Sequence, residues 1–299
     1  MTDFGKKYPT ISIITPSYNQ GQFIEQTILS VIGQNYPNLD YIIIDGGSTD
    51  QTLSIIKKYD SKINYWTSRP DNGQAEAINT GFSMAEGEIF MWLNSDDLLL
   101  KGSLHGIANA YRKTKKKKNF FGLGRRVYIN KNSYVQGFQS FTLGLNSLDA
   151  IAWGISRSPH QEATCWSRYL WEEYGPLNEK INLAFDLDLF LRILGNEAKS
   201  VYIPDLIGAW RIWESNKCTI FSSQLNNEVS KVKNIYKKEN SIYKNKIIKK
   251  LARKIVKISQ EKFAMEHGLP KIGRIVHSKE KVNQLFIPFL WKIIINIKT

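Results

Sequence analysis

Four short apolar runs in the first hundred residues end on side chains able to do chemistry. Ile11–Ile14 runs into Thr15-Pro16-Ser17-Tyr18-Asn19, and Tyr41–Ile44 ends on Asp45. Ile63–Thr67 is followed by Arg69-Pro70-Asp71, and Glu88–Leu93 by Asn94-Ser95-Asp96-Asp97. Two carboxylates held side by side repel, by about 4 kcal/mol for unit charges 4 Å apart near a surface. A divalent cation removes that cost, and oxygen ligands suit Mg²⁺ or Mn²⁺. A site with so few protein carboxylates leaves coordination positions for substrate phosphates. Read alone, Asp96-Asp97 is a helix N-cap before Leu98-Leu99-Leu100. Set beside the other three polar strand ends, it reads as a metal and phosphate site.

These side chains meet only if the elements between them bring them together. Phe23, Ile24, Ile28, Val31 and Ile32 recur at helical spacing and predict a helix over 22–34. Ser48-Thr49-Asp50-Gln51 has the spacing of a capping box and predicts a helix running to Tyr59. A third helix is expected over 74–85, and another over 184–195. Strand and helix alternating at this pitch predict an α/β fold with a mostly parallel sheet, and ligands in such sheets bind beyond the carboxyl ends of the strands. No G-x-G-x-x-G follows the first strand and no G-x-x-x-x-G-K-[ST] is present, which argues against a dinucleotide cofactor and a P-loop enzyme.

Ile11–Gln20 (ISIITPSYNQ), Asp45–Thr52 (DGGSTDQT), Asp71–Gly81 (DNGQAEAINTG) and Leu93–Leu98 (LNSDDL) together resemble glycosyltransferase family 2, with the Rossmann-like GT-A fold. His160-Gln161-Glu162-Ala163 and Phe185–Arg192 (FDLDLFLR) continue the match, which is closest to the branch making bacterial O-antigen and other surface polysaccharides. The resemblance implies an inverting enzyme that moves one sugar from a nucleotide diphosphate donor, most simply a UDP-sugar, to a glycan or lipid-linked glycan acceptor. It implies that Tyr18 stacks on the base and Asp45 reads the base edge. Thr15, Pro16, Arg69 and Asp71 would line the nucleotide, and Asn94, Ser95, Asp96 and Asp97 would serve the ribose and a Mn²⁺ or Mg²⁺ ion at Asp96/Asp97. Asp186 would be the general base, and His160 and Gln161 would lie on the acceptor side. The chain departs from the pattern at Gly46, Asn94 and Phe185, where carboxylates are usual. The Q-x-x-R-W motif of processive synthases is absent, with Arg211-Ile212-Trp213 in its region, which implies single-sugar addition.

An inverting transfer needs a base opposite the leaving diphosphate. Asp186 stands between Phe185 and Leu187 at the start of an apolar helix, where the helix dipole alone would also favour it. Asp188 and Arg192 are four residues apart, acid first, and read as a structural pair worth a few tenths of a kcal/mol.

The 299-residue chain carries a net charge of +14, unevenly spread. Residues 225–299 hold 18 Lys/Arg against 5 Asp/Glu, whereas residues 1–224 hold 23 against 22. We therefore expect a GT-A domain over 1–221, with a donor half at about 1–110 and an acceptor half at about 111–221, and a basic helical extension over 222–299. Within it, Tyr243–His267 spaces Ile247, Leu251, Ile255 and Ile258 at helical steps among lysines, and Phe286–Ile297 adds an apolar segment. A basic amphipathic helix binds anionic membrane surfaces; the competing expectation is a helical hairpin whose apolar stripe packs in the core. Two cysteines make no disulfide framework. With no signal peptide and no apolar run long enough to span a bilayer, the expected place is cytoplasmic, peripheral on the inner membrane face. A nucleic-acid-binding role leaves the polar strand ends unexplained, and the tail lacks stacking aromatics among its lysines; no nucleic-acid partner is expected. A nucleotide-sugar-binding protein without transfer activity stays open through Phe185 and Asn94.

Overall fold

The structure is a computed structural model that describes residues 8–139, 147–156, 158–196 and 198–266. The first half alternates β1 (Ile11–Ser17), α1 (Ile24–Ile32), β2 (Leu39–Asp45), α2 (Thr52–Lys58), β3 (Tyr65–Ser68), α3 (Gln74–Met84) and β4 (Ile89–Trp92). The short β5 (Leu98–Leu99) and α4 (Ser103–Lys113) follow, then β6 (Phe120–Asn130), β7 (Val135–Gln139), α5 (Leu148–Ala152) and β8 (Thr164–Ser167). The chain continues through α6 (Arg168–Tyr174), α7 (Phe185–Leu194), β9 (Lys199–Ile212), α8 (Lys217–Ile220), α9 (Ser222–Ile235) and α10 (Lys246–Glu266).

One sheet holds these strands in the order β3-β2-β1-β4-β8-β6-β9-β5, with β7 beside β6. It is parallel over β3-β2-β1-β4, as the alternation predicts. Beyond β4 it is mixed: β8 runs antiparallel to β4 and β6, β5 antiparallel to β9, and β6 parallel to β9. The expected α/β fold with a mostly parallel sheet holds, with β8 and the short β5 and β7 as its antiparallel members.

Alternate side chains of each strand feed two cores. Ile11, Ile13, Tyr41, Ile43 and Met91 meet Ile24, Ile28 and Val31 of α1, Ile56 of α2 and Leu104 of α4 on one face. Ile14, Ile42, Ile44, Phe90 and Trp92 meet Ile78 and Phe82 of α3, Leu170 of α6 and Phe190 of α7 on the other. Each buried Ile or Phe contributes about 1.5–3 kcal/mol. The second core is aromatic: Phe82 stacks on Phe90 with centroids 5.0 Å apart, and Trp92 lies 5.5 Å from Trp166 and 6.1 Å from Phe190. This cluster joins the end of β4 to α7, so it fixes Asp96-Asp97 and Asp186 relative to one another.

One local expectation is corrected, and the helix N-cap set aside for Asp96-Asp97 is absent. The capping box does not form, since α2 starts at Thr52 with no side-chain cap. Ser48 donates to the Asp45 carboxylate (2.5 Å) and accepts the Asn19 amide (2.7 Å); a buried carboxylate outcompetes a helix amide for the hydroxyl. Nor do Asp96-Asp97 cap a helix, because Leu98-Leu99 pair with Ala209 and Gly208 as strand β5.

The extension beginning at residue 222 shares core with the body. Val232 of α9 packs with Ile151, Leu187 and Leu191. Glu228 Oε2 accepts the Leu183 amide (2.8 Å) and the Ala184 amide (3.1 Å), capping α7 from outside. Asp188 is buried, and its carboxylate accepts Arg192 Nε at 3.1 Å and the Tyr236 hydroxyl at 3.0 Å, while Arg192 also donates to the carbonyls of Tyr174 and Pro176. The structural pair read from the spacing is present, and it is more buried and more widely bonded than an isolated helix pair. Asp188→Asn is expected to lower stability by about 1–3 kcal/mol, since its amide would face the guanidinium donor to donor. Urea unfolding of the two proteins measures it, and a difference within a few tenths of a kcal/mol would return the pair to a surface role.

Candidate active site

The polar strand ends gather beyond the carboxyl ends of β1, β2 and β4, where β1 is flanked by β2 on one side and β4 on the other. The loop of Asn94–Asp97 is clamped between β4 and β5. Thr27 of α1 donates one hydroxyl to the carbonyls of Ser95 (2.9 Å) and Asp97 (2.8 Å). Beneath it lies Arg211, completely buried. Arg211 donates Nε to the Asp96 carbonyl (2.7 Å), Nη1 to Lys131 O and Ser133 Oγ (both 2.9 Å), and Nη2 to Gln26 Oε1 (3.0 Å). Its guanidinium lies 4.6 Å from the Phe23 ring centroid.

The two aspartates differ. Asp97 is 1% exposed; its Oδ1 accepts the Arg211 amide at 2.9 Å and its Oδ2 accepts Asn94 Nδ2 at 3.3 Å. Asp96 is half-buried, and its Oδ2 accepts Trp213 Nε1 (3.1 Å) and Asn216 Nδ2 (3.4 Å). Among the described residues no other residue donates to its Oδ1. Burial pushes both carboxyls above the ordinary aspartate range, Asp97 well above it, with the charges of Asp96 and then Glu162 adding to the effect there. Two neighbouring carboxylates of this kind fit a hard divalent ion, with Asp96 half-buried and Asp97 buried behind it. Among the described residues no group of three Asp, Glu, His or Cys side chains is placed to hold a metal ion by itself. Any such ion would need ligands from its substrate.

The donor-side residues sort by geometry. Tyr18 stands 61% exposed just past β1, its ring open to a partner. Thr15 turns its hydroxyl to Tyr41 (3.2 Å) in the core and offers the cleft no side chain; Pro16 is buried in the same strand. Asp45, expected to read a base edge, is completely buried and already accepts the Ser48 amide (2.9 Å), the Ser48 hydroxyl (2.5 Å) and the Ser68 hydroxyl (2.6 Å). It ties the ends of β2 and β3 together. Arg69 is exposed, and its amide donates to the Asp45 carbonyl at 2.9 Å.

Asp71 explains the departure at Gly46. A Cβ on Gly46 would lie 2.9 Å from Asp71 Oδ2 and 3.1 Å from Oδ1. Asp71 thus fills, from the loop after β3, the space where a side chain after Asp45 would stand. Burial raises its carboxyl pKa, with Glu76 and Asp45 nearby adding to the rise.

Asn94 is the hub of an amide chain. It accepts Gln74 Nε2 (2.8 Å) and donates to Gln161 Oε1 (3.0 Å), and Gln161 donates to the Trp92 carbonyl (2.6 Å). Gln161 is therefore joined to the Asp96-Asp97 loop. His160 is buried, with its carbonyl accepting the Thr164 hydroxyl at 2.7 Å.

Asp186 occupies the first turn of α7, half-buried, with Oδ1 accepting the Leu187 amide at 2.7 Å. Burial lifts its pKa to about 6; the Leu187 amide and Arg126 pull it down and Glu162 pushes it up. Those last two form a buried ion pair, Arg126 Nη1 to Glu162 Oε1 at 3.0 Å. Arg126 also lies 4.8 Å from the Tyr128 ring centroid and 4.7 Å from that of Trp210. The sequence signals neither partner as a pair, since β6 brings Arg126 to Glu162 only through its pairing with β8. Cys218 in α8 feels burial first and then Asp186, Asp97 and Asp96, which together push its thiol up to about 11. Asp186, Asp96 and Asp97 thus all lie near enough to Cys218 for their charges to be felt there. Lys217 next to it reaches Gln74 Oε1 at 3.5 Å, and burial lowers its amine.

Residues 12–159 match the family model described as Glycosyl transferase family 2. An uncharacterized glycosyltransferase of Rickettsia typhi is 28% identical over 198 residues, 65% of this chain and 61% of that protein. The poly(ribitol-phosphate) β-N-acetylglucosaminyltransferase TarP of Staphylococcus aureus is 38% identical over 104 residues, 33% of this chain and 32% of TarP. The chain thus spans less than two thirds of the length of either relative. Among solved structures, S. aureus TarS 1–349 in complex with UDP-GlcNAc superposes with a TM-score of 0.59 at 18% identity, covering 86% of this chain and 73% of that one. With the sheet order and the strand-end loops, these likenesses establish the GT-A fold and place the chain in glycosyltransferase family 2.

Proposed function

We propose that the chain is an inverting, non-processive glycosyltransferase that moves one sugar from a UDP-sugar to a glycan or lipid-linked glycan acceptor during surface-polysaccharide synthesis. The observation that carries this reading is the gathering of the polar ends of β1, β2 and β4, with Gln161 joined through Asn94 to the Asp96-Asp97 loop. The relatedness to TarP and the fold shared with a UDP-GlcNAc complex support the donor and the polymer class.

In this reading Tyr18, Arg69 and Asp71 hold the nucleotide, and Asp45 fixes the loops that present them. Asp96 would hold Mn²⁺ or Mg²⁺, which when bound would draw off charge from the leaving diphosphate. Asp186 accepts the proton of the acceptor hydroxyl as its oxygen attacks the anomeric carbon. The bond to the diphosphate breaks on the opposite face, and the proton stays on Asp186. Arg126 and Glu162 set the charge around that carboxylate, and His160 and Gln161 border the acceptor side.

Thermal unfolding with UDP and UDP-sugars, with and without Mn²⁺, tests the reading, together with UDP release from the donor. Donor at a hundred times its Kd is expected to add about 2.7 kcal/mol of stability. EDTA or Asp96→Ala is expected to remove most of that gain and of the UDP release. Stabilisation by no nucleotide and no UDP release would overturn it.

A further inference from the structure

The apolar stripe of α10 faces outward. A helix turns about 100° per residue, which divides residues 246–258 into three sectors. Ala252 and Val256 form the first; Val256 is buried with Ala150 and Ile155, Arg253 Nε donates to the Gly154 carbonyl at 3.0 Å, and Lys249 lies 5.4 Å from the Trp153 centroid. Lys246, Lys250, Lys254 and Lys257 form the second, all exposed. Ile247, Leu251, Ile255 and Ile258 form the third, and they are 71%, 54%, 60% and 53% exposed. The stripe is therefore not the one that docks, which decides against the packed hairpin for these residues. No helix among the described residues is long and apolar enough to cross a membrane.

We propose that this outward face of α10 is a docking surface for an anionic lipid bilayer, with Ile247, Leu251, Ile255 and Ile258 entering the headgroup boundary and Lys246, Lys250, Lys254 and Lys257 contacting acidic headgroups. Charge selects this occupant. The four lysines flank the stripe along one edge, as in interfacial helices. A second copy would bring lysines against lysines, as would residues 267–299 with six Lys/Arg against one Glu; their apolar Phe286–Ile297 lies outside the described residues. Nucleic acid would satisfy the lysines and leave the isoleucines in water.

The position of the helix gives the docking a purpose. α10 packs on α5, and Ile151 of α5 packs with Leu187, the neighbour of Asp186. A bilayer held on α10 thus lies one helix away from the helix that carries the proposed base. This part rests on the function proposed above and names the acceptor as one presented at a membrane surface.

The test is flotation of the full chain with phosphatidylcholine vesicles, with and without phosphatidylglycerol, alongside UDP release from the donor. We expect binding to the anionic vesicles only, weakened at least tenfold by Leu251→Gln with Ile255→Gln, by Lys250→Glu with Lys254→Glu, or by high salt. Both double variants change exposed side chains and are expected to melt with the parent protein and to release UDP at the parent rate. Vesicle binding without UDP release would remove the transfer function and keep the docking face; UDP release without vesicle binding would overturn the docking face alone. Equal binding by parent and apolar variant, retention on DNA or RNA but not on vesicles, or a dimer in ultracentrifugation that the apolar variant dissolves would each overturn it too.

Discussion

Asp186→Asn is expected to lower turnover by about 10²-fold or more, the scale of losing a general base, while leaving nucleotide affinity within a factor of about two. The proposed donor contacts come from the ends of β1, β3 and β4, and Asp186 belongs to α7, so its amide replacement should disturb none of them. The pH profile carries the same signature. A base works deprotonated, and burial holds this carboxyl at about 6. In the parent protein kcat/KM should therefore rise with pH through about 6 and level off above, and the residual activity of the variant should lack that limb. Stability moves the opposite way. The folded-state pKa lies above that of an exposed aspartate, so Asp186 favours the fold below the unfolded value, and that contribution is lost as pH rises through about 6. At neutral pH the ionised carboxylate costs the fold about 1–3 kcal/mol, which the neutral amide relieves. A variant that is slower and also melts higher at pH 7.5, with the two melting points converging toward pH 4, fits this account. Full turnover in the variant, or a profile with no limb near 6 in the parent, would place the base elsewhere.

The elements of the donor half were legible in the sequence because they obey simple periods. Ile24, Ile28 and Val31 recur at helical steps, and Ile11, Ile13, Tyr41 and Ile43 alternate, and one core takes all of these residues as read. The strand-end blocks were legible for the same reason, since a polar cluster after an apolar run marks where a strand stops. What the periods do not carry is which polar group a carboxylate finds once buried. Asp45 closes on Ser48 from the following loop and on Ser68 at the end of β3, and nothing local distinguishes that from a carboxylate open to the cleft. Asp71 standing against Gly46 is likewise a contact between loops. The stripe of α10 shows the other limit. Spacing tells which side chains share a face, and the same spacing serves a face turned to the core or to the outside. Only the partners of Val256 and Arg253 decide it.

Arg211 holds the largest unread role in the chain, and removing its side chain is expected to cost about 3–5 kcal/mol, as breaking a buried charge network does. In Arg211→Met the Asp96 carbonyl, the Asn130 and Lys131 carbonyls, Ser133 and Gln26 all lose their shared donor, although the backbone amide of residue 211 still reaches Asp97. Each orphaned buried acceptor costs about 1–3 kcal/mol where water cannot reach it. Arg211→Lys is expected to rescue little, because one ammonium cannot copy a planar fork with its ring contact to Phe23. The loss should be strongest above neutral pH. Arg211 draws the Asp96 and Asp97 carboxyls down, so without it their folded-state pKa values rise further. Groups with raised folded-state values favour the fold in acid and lose that contribution as pH rises, so the deficit of the variant should shrink from pH 8 toward pH 4. The Asp96-Asp97 loop also loses its floor, so Mn²⁺-dependent stabilisation by UDP should fall with it, which separates this residue from Asp188. Urea unfolding of parent, Arg211→Met and Arg211→Lys across that pH range measures the deficit. A loss under about 1 kcal/mol that does not change with pH would mean that the loop stands without Arg211 and that the carboxylates are compensated by another group.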